Sequence, residues 1–145
     1  MQLTGRYVFE APVDRVWELL MDVPSIEACL PGCRELRDLG DDRYQAELVI
    51  AVAAITGNYG ATIAVEDKVP GQSYRLVVQG TGRSGFVKGS ATMRLEPVAD
   101  GTAVNVDATA DVGGTIARLG QRLIEGVART TMNRFFACLQ ARLVL

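Results

Sequence analysis

The chain has 145 residues, with 15 Lys and Arg, 17 Asp and Glu, no histidine and a formal charge of −2. Charges of both signs are interspersed, which excludes the strongly basic face of a nucleic-acid binder, and no apolar run of about 18 residues is present to cross a bilayer. Apolar residues make up 48% but aromatics only 6%, so Val, Ala, Leu and Ile must fill the interior of what reads as one domain over residues 1–145.

Leu3 to Glu10 alternates, with Leu3, Gly5, Tyr7 and Phe9 on one face, and reads as a half-buried strand. Pro12 then suits the first turn of a helix, where its missing N–H costs nothing, and Val13, Val16, Trp17 and Leu20 follow at helical spacing. A second short helix is expected over Pro24 to Ala28, set off by Asp22-Val23-Pro24 because a residue before proline avoids the helical region. From Cys33 onward strand follows strand. Arg34–Leu39 ends at the turn Gly40-Asp41-Asp42, and Tyr44–Val52, Tyr59–Val69, Tyr74–Gly80, Val87–Glu96 and Val104–Val112 each carry one apolar and one polar face. Sequential strands joined by short turns make an antiparallel meander, and its apolar face needs a cover.

The last segment, Thr115 to Leu145, supplies that cover. Ile116, Leu119, Leu123, Val127, Thr131 and Phe135 step by three and four, extended by Leu139 and Leu143, while Arg118, Arg122, Glu125, Arg129 and Arg134 lie outside. Thr115 is the expected N-cap. The pattern predicts an α+β helix-grip fold: a curved antiparallel sheet of six to seven strands wrapped around a long C-terminal helix, with two short helices after the first strand.

Small residues recur on the inward faces: Gly5, Ala46, Ala61, Gly80, Gly89, Ala91, Ala108 and Ala110, with Gly120, Gly126 and Ala128 on the helix. Two readings fit. Small walls leave an apolar hollow, or they let helix and sheet pack closely, as native interiors do.

The residues for chemistry are sparse. Three thiols without histidine fall short of the four ligands of a structural zinc site, so no metal ligands are assigned. Cys29 and Cys33 flank Leu30-Pro31-Gly32, a spacing one longer than the redox C-x-x-C. A cysteine nucleophile needs a base such as histidine. The thiols therefore read as small apolar groups beside a tight turn, and an odd cysteine count suits a reducing cytosol. The first residues show no basic stretch followed by an apolar one, so no signal peptide is expected. Asp41-Asp42, Asp100, Asp14 and Glu18 read as turn, cap or solvated charges. Gly80-Thr81-Gly82-Arg83-Ser84-Gly85 has the spacing G-x-G-x-x-G, but a strand follows it instead of a helix, so it is read as a glycine-rich hairpin. No catalytic residue is assigned.

Several stretches together carry a family likeness: Ala11-Pro12-x-x-x-Val16-Trp17-x-x-Leu20-x-Asp22, Cys29-Leu30-Pro31-Gly32-Cys33, Gly57-x-Tyr59-x-Ala61, Gly80-x-Gly82 and Asp111-Val112-Gly113-Gly114-x-Ile116-Ala117-x-Leu119-Gly120. The chain resembles the carbon monoxide dehydrogenase CoxG family, within the START-like superfamily of polyketide cyclases and lipid-transfer proteins. The resemblance implies a non-catalytic role beside a molybdenum hydroxylase of the carbon monoxide dehydrogenase type, help in placing that enzyme at the membrane, and a fold that carries lipids or quinones. Many such proteins continue into a longer tail past the last helix, whereas this sequence stops at Leu145, so anchoring by a tail is not expected.

The expectation is a cytoplasmic carrier, peripheral at the inner face of the cell membrane, that holds a quinone or lipid and has no intrinsic cofactor. Its ligand site is assigned to Trp17, Leu20, Tyr59, Leu76, Val78, Met93, Leu119, Leu123, Val127 and Phe135, with Leu30 at the mouth. The alternative is a cyclase or dehydratase acting in the same hollow, which needs Tyr59 or Tyr74 beside an Arg or Asp.

Overall fold

A computed structural model of the protein describes residues 1–52 and 55–144. The chain runs β1 (Gln2–Phe9), α1 (Val13–Met21), α2 (Val23–Cys29), β2 (Cys33–Gly40), β3 (Arg43–Ile50), β4 (Gly57–Val69), β5 (Ser73–Gly82), β6 (Gly85–Val98), β7 (Gly101–Gly113), a 3-10 turn (Thr115–Leu119) and α3 (Gln121–Val144). The seven strands form one antiparallel sheet in the order β1-β7-β6-β5-β4-β3-β2. The meander continues from β2 to β7, and β1 closes it by pairing with β7, Leu3 opposite Ala108 and Phe9 opposite Thr102. The fold class is thus the helix-grip expected from the alternation of the strands.

The sheet edges are guarded in different ways. At the β1 edge, Gln140 of α3 donates from Nε2 to the Val8 carbonyl at 2.8 Å. At the β2 edge the pairing register shifts twice and exposed Arg34, Glu35, Arg37 and Asp38 line the strand. Charges and irregularity discourage pairing with another chain.

Local chemistry sets the two short helices. Pro12 stands at the N-cap of α1, and its carbonyl accepts from the Arg15 and Val16 amides at 3.1 Å. Asp22 ends α1 and caps α2, accepting from the Ser25 amide at 3.3 Å and from the Ser25 hydroxyl. Gly32 turns the chain into β2 at φ +77°, and a Cβ there would lie 2.3 Å from the Val49 carbonyl oxygen, so only glycine fits.

The core has two parts. The larger gathers Phe9, Val16, Leu20, Met93, Phe136 and Leu139, each at most 5% exposed. The smaller is built on Leu36, Ala46 and Ala61. Ile26 of α2 packs against both.

The last segment departs from the sequence expectation in three ways. It is not one helix from Thr115: Gly120 at φ +89° breaks the ladder, and a 24-residue α3 of about 36 Å follows. Thr115 makes no side-chain cap bond, Gly114 preceding the turn instead. The buried face is also rotated. Leu123 is 48% exposed, whereas Phe136 is 1% exposed; Leu139, expected inward, is fully buried. Steps of three and four also connect Ile124, Ala128, Met132, Phe136 and Leu139, so apolar spacing alone admits two adjacent stripes, and packing selects the second. Gly120 and Gly126 are exposed, with open space where a Cβ would stand, so neither forms an inner wall. Leu145 lies outside the described residues.

The cysteines give a further correction. Cys29 at the end of α2 is disulfide-bonded to Cys138 of α3, with their Cα atoms 5.4 Å apart, and Cys33 is free. The reading of all three as small apolar thiols is therefore wrong for two of them. The partners are 109 residues apart, and no sequence spacing reveals such proximity. Closing a loop of that size is worth on the order of 4–5 kcal/mol in the chain-entropy model.

Candidate ligand-binding interior

The inward positions of β4 to β7 form a diagonal belt of small residues. Ala61 pairs with Gly80, Val78 with Gly89 and Leu76 with Ala91, and Gly89 and Ala91 in turn with Ala110 and Ala108. Central strands of a covered sheet ordinarily bury their inward residues. Here Leu76, Val78, Gly80, Gly89, Ala91, Ala108 and Ala110 all remain half-buried. The helix explains this. α3 packs on α1, α2, β1 and the 3-10 turn, and among the described residues it makes no comparable approach to β2–β6. Its first half carries Ile124, Val127, Ala128 and Thr131, all half-buried.

The other end of the interior is closed. Phe136 stacks on Tyr7 at 4.1 Å between ring centroids and meets Phe9 edge-on at 6.3 Å. The Tyr7 hydroxyl donates to Asn133 Oδ1 at 2.7 Å. Trp17 meets Tyr74 edge-on at 5.5 Å, and burial pushes the Tyr74 phenol above its ordinary range.

The residues assigned to the site from sequence do not form one set. Leu20 and Met93 are in the larger core cluster, with Trp17, Leu76 and Phe135 packed against it. Tyr59, 9% exposed, lies apart from it. Its hydroxyl donates to the Ile55 carbonyl at 2.8 Å, and its ring lines a recess of about 500 Å³ with Thr56, Asn58, Arg83 and Ser84. Val78, Leu119 and Val127 are half-buried and outside both clusters, as is the exposed Leu123. Leu30 is half-buried at the end of α2, next to the Pro31-Gly32 turn. The sequence reading missed Ile26, which bridges the two clusters, and Phe136, whose stripe it assigned one residue away.

A depression of about 730 Å³ takes in Val78, Gly89 and Ala110 of the belt and Gln121 at the start of α3. Outward positions of β5–β7, such as Arg75, Gln79, Lys88, Thr109 and Asp111, dominate its lining. Its polarity does not suit an apolar ligand. Of the tyrosines named for the catalytic alternative, Tyr59 bonds a backbone carbonyl and shares its recess with Arg83, and Tyr74 packs on an indole. Among the described residues, no three of His, Cys, Asp or Glu come together to hold a metal ion.

A curved antiparallel sheet holding a C-terminal helix, with two short helices ahead of it, is the START-like architecture. The structure of a START superfamily protein from Mycobacterium smegmatis matches with a TM-score of 0.79 at 13% identity, over 98% of this chain and 96% of that one. Within that class, residues 5–144 match the carbon monoxide dehydrogenase CoxG family, and the chain belongs to it. The crystal structure of a conserved protein from Geobacillus kaustophilus matches with a TM-score of 0.96 at 36% identity, over 99% of this chain and 95% of that one. No curated protein matches the chain.

Proposed function

We propose that this protein is a non-catalytic carrier that holds an apolar small molecule, a quinone or lipid, between the first half of α3 and the small-residue belt of β4–β7. In this reading it serves a molybdenum hydroxylase of the carbon monoxide dehydrogenase type. The observation that carries the proposal is the belt itself: inward, central, apolar and only half-buried beneath a helix that packs elsewhere. Apolar lining with few polar anchors is what such sites require. The recess beside Tyr59 offers Asn58 and Arg83 for a polar head at one end. Membership of the CoxG family supports the choice of partner.

Peripheral attachment at the inner face of the cell membrane accompanies this role. No helix among the described residues is long and apolar enough to cross a bilayer. The 3-10 turn and α3 nevertheless expose Arg118, Arg122, Leu123, Arg129 and Arg134, a basic surface of the kind that meets anionic headgroups. Native mass spectrometry of protein purified from a respiring host tests the carrier reading. A mass increment of a quinone or lipid, or uptake of added ubiquinone, menaquinone or phospholipid, is expected. A clean apo mass with no uptake overturns it. Co-flotation with anionic phospholipid vesicles but not with neutral ones is the matching test of attachment, and equal recovery with both refutes it.

A further inference from the structure

The short helix α2 roofs the junction between the two parts of the core, since Ile26 touches both clusters. It has seven residues, too few to be helical by itself, so its neighbours hold it. It is flanked by two points where the backbone leaves the helical conformation: Asp22, which is extended, and the Leu30-Pro31-Gly32 turn, with Gly32 at φ +77°. Two ties fasten it to α3. Near its start Arg142 Nε donates to Ser25 Oγ at 3.1 Å. At its end Cys29 is bonded to Cys138. A separate tie runs to the sheet, where Glu27 accepts the Leu36 amide at 2.8 Å.

We propose that the Cys29–Cys138 disulfide is a reversible latch that holds α2 onto α3 over the interior, and that its reduction by a dithiol frees α2 and speeds exchange of the bound apolar molecule. The exchange part rests on the carrier reading above; the latch part does not. The bond joins α2 to the C-terminal half of α3, beside Leu139, so breaking it removes the one covalent restraint between the two helices. Cys29 is 4% exposed, whereas Cys138 is half-buried, so a reductant approaches from the α3 side. A thiolate of the dithiol attacks Cys138 Sγ and forms a mixed disulfide, and Cys29 leaves and takes up a proton. The second sulfur of the dithiol then displaces Cys138, which is protonated in turn. The two electrons and two protons come from the dithiol, which ends as its own disulfide. The same carrier in its oxidised form runs the sequence backwards. Cys33 is the nearest competing thiol in sequence, but burial and the neighbouring Glu27 carboxylate push its pKa up. It therefore stays protonated and exchanges slowly.

Hydrogen exchange on the full chain, before and after dithiothreitol and again in Cys138→Ser and Cys138→Ala, tests the latch. Iodoacetamide counts the thiols, and release of cis-parinaric acid into excess phospholipid vesicles reads ligand exchange. Reduction should raise the alkylated thiols from one to three. Amides of residues 23–30 should exchange at least tenfold faster while those of β5–β7 keep their protection, and probe release should accelerate at least tenfold. Both variants should show the fast exchange and release of the reduced chain, with two alkylated thiols, Cys29 and Cys33. Three reactive thiols before reduction, or unchanged protection of residues 23–30 in the reduced chain and both variants, overturns the latch. Loss of protection throughout β5–β7 also overturns it, by making the bond a general structural crosslink. Probe bound in both states but released at one rate refutes gating. Probe bound in neither state, with the change at residues 23–30 intact, refutes the carrier reading and leaves the latch standing.

Discussion

The two ends of the interior differ in how they are filled. Around Phe136 and Leu139 the space is closed by stacked and edge-on rings from β1 and α3 and by Val16 and Leu20 of α1. Toward the first half of α3 the sheet offers Gly80, Gly89, Ala108 and Ala110, and none of them is fully buried. One helix serves both ends. Its C-terminal half is packed as core, and its N-terminal half is only half-buried. The difference shows that burial can change along a single element: large side chains close one end, and at the other the facing sheet residues are small and half-buried.

That contrast can be broken by mutation, and the largest effect belongs to the closed end. Phe136→Ala should cost about 3–5 kcal/mol in denaturant unfolding, the range for removing a buried aromatic ring. Val127→Ala at the open end should cost only about 0.5–1 kcal/mol, since its side chain is half-buried. Equal losses for the two would erase the distinction.

Adding volume gives an intermediate effect and sharpens the comparison. Ala46 is 0% exposed, so Ala46→Leu should overpack and cost about 1–3 kcal/mol. Ala108→Leu should cost less than about 1 kcal/mol, because Ala108 is only half-buried, and on the carrier reading it should reduce quinone or lipid uptake in native mass spectra. A destabilisation of Ala108→Leu matching that of Ala46→Leu would mean that the open end is packed after all.

The smallest effect lies on the outer face, remote from both ends. Arg6 Nη1 donates to Glu96 Oε1 at 2.7 Å, and this bond, with Asn105, holds the Glu96 carboxyl below the ordinary carboxylate range. A depressed carboxyl adds stability at pH values above its unfolded pKa, and the gain is lost as pH falls through the folded pKa. Both side chains are solvent-exposed, so the contribution is small. An NMR titration of Glu96 should show its midpoint rising toward the ordinary value in Arg6→Ala; an unmoved midpoint would refute the pairing.

Much of the fold was legible because strand alternation is a local signal. Tyr59, Ala61 and Ile63, or Val104, Val106 and Ala108, show which face turns inward without reference to any other strand. The pairing order of β2 to β7 followed from short turns. The site was legible only in part. Small inward residues suggested a space, but steps of three and four in the last helix admitted both the Leu123–Val127–Phe135 stripe and the Met132–Phe136–Leu139 stripe. The ligand residues were drawn from the first; the structure buries Phe136 and Leu139 of the second, packs Phe135 of the first against the same core, and leaves Leu123 exposed. Gly120 carried a usable signal, since glycine is a poor helix interior residue, and it marks where the expected long helix in fact begins.

By itself the sequence determined the class of fold, a meander of six to seven strands with the facing of each, and the family, because alternation, turn chemistry and motif residues are written within a few residues of one another. Only the tertiary structure decided which face of α3 is buried, that its first half is only half-buried, and that Cys29 meets Cys138. Each of these depends on residues that are distant along the chain and adjacent only after the sheet has curved around the helix.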